Sequence, residues 1–285
     1  MSESALMRAS VLWTLLGCSI GAPLALGASN ESAQRQTTIS IELRDHFPIV
    51  LAKVGQSDVP LIFDSGDQTA VALHQDVLDS VAATPTGKTD RLQFAEGPPV
   101  VTARYTLPRI QIGDVVFNDI EARVDVHDRS YQATDVGQKG FLGTALLKPY
   151  QVVLDYRRRR MTLIRASSPQ SGCSGTVVPF STEQAPAEPA TELRTDFGRF
   201  SVWWDTGNPA SVVLSEQTVA ALRPGYTGPK VKSERLVLGG RNFGPWTIET
   251  WKMNLPPWFN GFIGYGFFAQ HVVCMDFPGR RILVH

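Results

Sequence analysis

Apolar and polar positions alternate in short stretches along most of the chain. Ile110 and Ile112 keep a period of two before Gly113-Asp114, and Ile120, Ala122, Val124 and Val126 resume it afterwards. This is the pattern of a half-buried antiparallel hairpin over Arg109–Val126. Pro48–Phe63 reads as two strands around Gly55-Gln56-Ser57, and Thr191–Trp204 repeats the design around Gly198-Arg199. Short apolar runs follow at Ala70–Leu73 and Ser211–Leu214, each with room for a brief helix behind it. Ser215 suits an N-cap there and Pro224-Gly225 a stop. Val152–Tyr156 and Val273–Phe277 each lead into a turn and a last strand. Residues 29–37 are polar and expected to be disordered. The Ser-, Gly- and Pro-rich stretch Arg165–Gly175 reads as a linker, and Thr182–Glu192 as a second polar stretch. Short strands dominate and helix is minor, so the expected fold class is all-β, each half a small barrel.

The two halves match one another. Leu61-Ile62-Phe63-Asp64-Ser65-Gly66 recurs as Val202-Trp203-Trp204-Asp205-Thr206-Gly207, an offset of 141. Ile110-Gln111-Ile112-Gly113 matches Leu236-Val237-Leu238-Gly239 at 126, and Gly140-Phe141-Leu142-Gly143 matches Gly261-Phe262-Ile263-Gly264 at 121. The second half is thus a shortened copy, with its largest deletion between the Asp motif and the middle block. So long a repeat, occurring twice, predicts neither solenoid nor propeller. It predicts two fused lobes, residues 38–165 and 175–285, about a pseudo-twofold axis with a cleft between them.

Composition narrows the options. With 285 residues, 43% of them hydrophobic, the chain can bury a core of one large or two small domains. Its 27 basic and 27 acidic residues leave no net field to attract nucleic acid. Residues 1–28 resemble an export signal: Arg8 precedes the apolar Val11–Leu16, and small residues run through Ala25-Leu26-Gly27-Ala28. Gly17, Gly21 and Pro23 argue against a spanning anchor. Leu15-Leu16-Gly17-Cys18 also resembles a lipoprotein box, so membrane attachment is expected only if Cys18 is lipidated, against cleavage near Ala28. The expected location is periplasmic or secreted. Export would permit a Cys173–Cys274 disulfide. Cys274 falls on Val153 in the repeat, however, an apolar strand position, and a buried thiol is the preferred reading.

One Asp-x-Gly is ordinary turn chemistry. Two in matched contexts suggest a single site built from the Asp64 and Asp205 carboxylates. Two such groups held close together, with little water around them, cannot both ionise easily and share a proton over an acidic range. In the aspartic proteases, which these paired triplets resemble, the ionised member acts as base on a water between the two, and the protonated one polarises the carbonyl and later protonates the leaving nitrogen. Gly66 and Gly207 allow the sharp turn that presents each carboxylate. Ser65 and Thr206 can bond backbone across the axis. No cofactor or metal is expected, because His46, His74, His127, His271 and His285 lack metal-ligand spacing and make no Ser-His-Asp set. Arg157–Arg160 falls on Pro278–Arg281 and reads as a solvated turn. Trp204 reads as barrel packing, while Trp258 reads equally as cleft wall or core.

The order of these motifs in each lobe resembles the aspartic proteases, over roughly residues 38–285. The block from Gly140-Phe141-Leu142-Gly143 to Asp155-Tyr156 is especially similar to the retropepsin-like group, although both lobes here lie in one chain, as in pepsin-like enzymes. The resemblance implies a catalytic pair at Asp64 and Asp205, supporting hydroxyls at Ser65 and Thr206, and tight turns at Gly66 and Gly207. It also implies a flap, with arms Asp90–Phe94 and Val100–Tyr105 and Gly97 at the tip. The second lobe has only Thr227–Arg235 in that interval, so one flap is expected. The pattern departs after each triplet, where Asp67 and Asn208 replace the usual small residue. Asp67, Asn208 and Gly97 are the substrate-binding candidates. A carboxylate at 67 facing the cleft would raise the pair's pKa values and favour a basic substrate side chain; turned outward, it would do nothing. The expectation is an exported, monomeric aspartic endopeptidase acting on peptide or protein. The alternatives are an inactive relative that binds a partner in its cleft, and an envelope structural protein without a cleft.

Overall fold

A computed structural model describes residues 36–92, 98–126, 136–165, 173–180, 189–253 and 258–285. Residues 1–28 with Cys18, Gly97 of the expected flap tip, His127 and most of the expected linker lie outside these residues. The first half forms β1 (Gln36–Arg44), β2 (Phe47–Val54), β3 (Ser57–Phe63), β4 (Val71–Leu73), β5 (Thr84–Leu92), β6 (Val100–Ile112), β7 (Val115–Val124), β8 (Gly140–Leu142), β9 (Tyr150–Asp155) and β10 (Arg160–Arg165). The second forms β11 (Thr176–Pro179), β12 (Ala190–Arg194), β13 (Arg199–Trp204), β14 (Val212–Ser215), β15 (Lys230–Ser233), β16 (Val237–Leu238), β17 (Arg241–Asn242), β18 (Trp246–Trp251), β19 (Gly261–Ile263), β20 (Val273–Asp276) and β21 (Arg281–Val284). The described α-helices are short: Gln75–Ser80 and Glu216–Leu222, one behind each Asp motif, and Tyr265–Phe268. None is long and apolar enough to cross a membrane.

The fold class is the expected one, all-β, with the two halves built alike. The period-2 patterns become strands with one buried face: in β1 Thr37, Ile39 and Ile41 turn inward while their neighbours are exposed. The strand begins earlier than its polarity suggests. Gln36 and Thr37, expected to be disordered, pair with Ile164 and Leu163 of β10. Ladder hydrogen bonds and the burial of alternate residues outweigh local polarity there. Full burial of each Val, Leu or Phe side chain contributes about 1.5–3 kcal/mol, and one continuous core runs from Ile39 through Phe63 and Trp204 to Val284.

Both halves repeat one strand pattern around their Asp motif. β3 runs parallel to β8, β8 antiparallel to β4, and β4 parallel to β7. In the second half β13, β19, β14 and β18 stand in the same relations. The strands cross closely, which explains the glycine opening each Gly-Phe-hydrophobic-Gly block. A Cβ at Gly140 would lie 2.1 Å from the Ala72 carbonyl oxygen, and one at Gly261 2.0 Å from that of Val213. No side chain fits there.

The halves share a sheet. β20 pairs with β9, placing Cys274 opposite Val153, Val273 opposite Leu154 and Met275 opposite Val152. Since Val153 and Cys274 are equivalent in the repeat, this ladder maps onto itself when the halves are exchanged, and the pseudo-twofold axis passes through that pair. The preferred reading of Cys274 as a free buried thiol is overturned here: Cys173 and Cys274 are bridged, with Cα atoms 6.0 Å apart, inside the usual range. The sequence offset correctly places Cys274 on an apolar strand. It does not reveal that β11 joins this sheet beside β21, bringing Cys173 within reach.

Candidate active site

Each Asp closes a strand and begins a tight turn. The Asp64 N–H donates to Leu142 O and the Asp205 N–H to Ile263 O, both at 2.9 Å, which docks each motif on its Gly-Phe-hydrophobic-Gly strand. The carboxylates then fold back on their own turns. Gly66 N–H donates to Asp64 Oδ1 at 2.8 Å, and Gly207 N–H to Asp205 Oδ1 at 2.9 Å.

Four buried hydrogen bonds lock the two turns to each other. Ser65 Oγ donates to Trp204 O at 2.6 Å and accepts from Thr206 N–H at 3.0 Å. Thr206 Oγ1 donates to Phe63 O at 2.6 Å and accepts from Ser65 N–H at 2.9 Å. Each hydroxyl uses both its functions on the opposite lobe, and both residues are fully buried. The glycines leave room for the carboxyls. A Cβ at Gly66 would sit 2.9 Å from Asp205 Cγ and 3.2 Å from Asp64 Oδ1, and one at Gly207 2.6 Å from Asp64 Cγ. Each turn therefore lies against the carboxyl of the other lobe.

Burial pushes the Asp205 carboxyl up to about 6. Its hydrogen bond with the Asp64 side chain and the Gly207 N–H act the other way, and the Asp67 charge adds a smaller upward push. Tyr156 stands in the same neighbourhood. Its phenol is held well above the usual range by burial first, then by the charge of Asp205. Its ring stacks on Phe268, with centroids 5.5 Å apart, and lies 6.0 Å from that of Tyr265, which stacks on His46 of the first lobe. Nothing in the sequence pattern singled out Tyr156 beyond its place in the Asp-aromatic strand end.

The remaining candidates sort themselves by position. Asp67 is half-buried as a residue, but its side chain is only 7% exposed: Oδ1 accepts from Thr69 N–H and Oγ1, each at 2.8 Å, while Oδ2 accepts from Arg123 Nη2 at 2.6 Å. Its charge is met inside the protein. Asn208 is also buried and its Oδ1 accepts Ala210 N–H at 2.9 Å. Neither expected orientation of Asp67, toward a substrate cation or out to solvent, describes this arrangement. Arg123 was not foreseen, because a lone Arg inside a hairpin strand gives no chemical signal until its partner is known. The described residues of the expected flap arms lie in the β5–β6 hairpin, with Leu92 opposite Val100 and Asp90 opposite Thr102. Arg104 ties the arms down, pairing with Asp90 on one side and with Glu121 of β7 at 3.1 Å on the other. Trp204 is core: its Nε1 donates to Thr191 Oγ1 and its ring meets Phe267 and Phe268 edge-on. Trp258 packs with Trp203 and Phe259 in a satellite apolar cluster. Arg157–Arg160 are exposed and lie at the turn between β9 and β10, as expected, and from there Arg157 Nη2 donates to Gln270 O at 2.9 Å.

Residues 50–146 match the family model described as Aspartyl protease. The chain is also similar to a solved structure, the aspartic proteinase from Irpex lacteus, at 12% identity, TM-score 0.55, covering 87% of this chain and 96% of that one. At that identity the likeness concerns the fold. No curated protein matches the sequence. The resemblance drawn from the paired motifs, to aspartic proteases of the pepsin and retropepsin type, is borne out by these two findings.

Proposed function

We propose that this chain is an exported aspartic endopeptidase that hydrolyses peptide bonds with a water activated between Asp64 and Asp205. The observation that carries the reading is the crossed set of Ser65 and Thr206 hydrogen bonds. It holds two carboxyls together where one proton serves both, and burial pushes the Asp205 carboxyl up to about 6. At mildly acidic pH, Asp205 keeps its proton and Asp64 is the base. Asp64 takes a proton from the water as the oxygen attacks the scissile carbonyl. Asp205 donates to the carbonyl oxygen, giving a gem-diol; as the C–N bond breaks, Asp64 passes the proton it took from the water to the leaving nitrogen and a diol hydroxyl returns one to Asp205. Ser65, Thr206, Gly66 and Gly207 hold this geometry, and the β5–β6 hairpin covers a peptide or protein substrate. The enzyme acts as a monomer, since both halves of the site lie in one chain. Asp67 and Asn208 shape the turns rather than recognise substrate.

Export is supported by the composition of residues 1–28 and by the Cys173–Cys274 disulfide, a bond that persists in oxidising compartments. Fractionation of the producing cell and determination of the mature N-terminus test it, and would separate cleavage near Ala28 from lipidation at Cys18.

A peptide-library digest across pH, run on the wild type and on Asp64→Asn and Asp205→Asn, tests the chemistry. Each variant is expected to stay folded and to lose at least about a thousandfold in kcat/KM. The wild-type profile should fall as pH rises through about 6, where Asp205 gives up its proton. Full activity in either folded variant would remove the mechanism.

A further inference from the structure

The two turns solve one local problem with different charges. Asp67 Oδ1 accepts Thr69 N–H and Asn208 Oδ1 accepts Ala210 N–H, at 2.8 and 2.9 Å. The N–H groups of Asp67 and Asn208 return to the carbonyls of Asp64 and Asp205 at 3.3 and 3.2 Å. The second lobe shows that a neutral amide is enough for this turn. The partner position changes in step. Ala72 lies opposite Arg123 in the β4–β7 ladder, and its repeat equivalent Val213 lies opposite Glu249 in the β14–β18 ladder. The first lobe therefore contains a buried ion pair, Asp67–Arg123 at 2.6 Å, for which the second lobe has no counterpart among the described residues. A buried pair is an expensive way to stabilise a turn, and a neutral replacement of similar shape is often no worse.

The crossed geometry says where that charge is felt. The Gly66 turn lies against the Asp205 carboxyl and the Gly207 turn against that of Asp64. The Gly66 turn, where a Cβ would meet Asp205 at 2.9 Å and Asp64 at 3.2 Å, is followed by the charged Asp67, and the Gly207 turn, where it would meet Asp64 alone, by the uncharged Asn208. We propose that the Asp67–Arg123 ion pair is a positioning device that breaks the twofold equivalence of the two carboxyls and holds their shared proton on Asp205, leaving Asp64 as the base. This deepens the reading of the pair as the catalytic site and rests on it. The charge of Asp67 is among the influences that raise the Asp205 carboxyl. Other titratable or charged groups near these turns among the described residues include Arg123 of β7, Arg104 opposite it on β6 with Asp90 and Glu121, the phenols of Tyr156 and Tyr265, and His46 stacked on Tyr265.

The test is a site-resolved carboxyl titration by 13C NMR, with Asp64→Asn and Asp205→Asn as assignment controls, alongside the pH profile of kcat/KM. Asp67→Asn alone strands a buried guanidinium, so both charges are removed together, as Asp67→Asn/Arg123→Met and, in a second version, Asp67→Ser/Arg123→Leu. In each folded double variant, the titration of Asp205 and the alkaline limb of the profile should move toward acid by about one pH unit. Asp67→Glu, which keeps the charge, should restore the wild-type values. An unmoved titration in either folded double variant would overturn the proposal. That failure is distinct from failure of the enzymatic reading, which would appear as peptide cleavage surviving in the Asp64→Asn and Asp205→Asn controls.

Discussion

A carboxyl whose folded pKa exceeds its unfolded value works against the fold once it ionises. Asp205 goes from an ordinary 3.8 to about 6. Between those values the native state holds more protons than the unfolded chain, so stability falls as pH rises through that window and levels off above it. A rise of this size corresponds to about 3 kcal/mol. Asp205→Asn removes the titration and keeps an oxygen for the Gly207 N–H. Thermal melts from pH 3 to 8 should therefore show the variant more stable than wild type at pH 7, by about 2–3 kcal/mol, with the advantage gone below about pH 4. A constant difference across that range would mean that burial is not what raises this carboxyl. The same variant loses activity while gaining stability, the trade expected where a site is built against the preference of its own groups.

At the scale of turns and strands, the hydroxyl residues decide whether two motifs become one site. Ser65→Ala strips the Trp204 carbonyl of a donor and the Thr206 N–H of an acceptor, both buried. Each unsatisfied group costs about 1–3 kcal/mol, so urea unfolding should show a loss of about 2–4 kcal/mol, with activity falling too as the carboxyls lose their register. This arrangement was largely legible in the sequence. The matched Asp-Ser/Thr-Gly triplets carry the Asp, the hydroxyl and the glycine, and the Gly-Phe-hydrophobic-Gly blocks carry the strands that receive them. Those residue types have few substitutes, because geometry excludes a Cβ at Gly66 and Gly207. What stayed hidden depends on partners distant in sequence. Asp67 looks ambiguous until Arg123, 56 residues later, is beside it. Tyr156 is one aromatic among many until burial and the Asp205 charge act on its phenol.

For residues 36–285 as one body, the central question is what keeps the two lobes in a single register. The carboxyls tolerate little relative movement, since a shift of one ångström at a reacting centre can cost about a hundredfold in rate. Near the axis the β9–β20 ladder joins the halves, and the Cys173–Cys274 bridge fastens the entrance of the second lobe to the middle of that ladder. The bridge closes a loop of 101 residues that spans most of the second lobe. In the chain-entropy account, a loop of that length restricts the unfolded chain enough to stabilise the native state by about 4–5 kcal/mol, against about 2–4 kcal/mol for disulfides in general. Cys173→Ser/Cys274→Ser should lower the unfolding midpoint accordingly. Because the remaining ladder bonds and the Ser65–Thr206 set are untouched, the folded double variant should keep a kcat within about threefold of wild type at low temperature. A large loss of kcat with little loss of stability would instead assign the bridge to aligning the two aspartates. The lobes would then depend on a covalent tie, rather than on the shared sheet, to place Asp64 opposite Asp205.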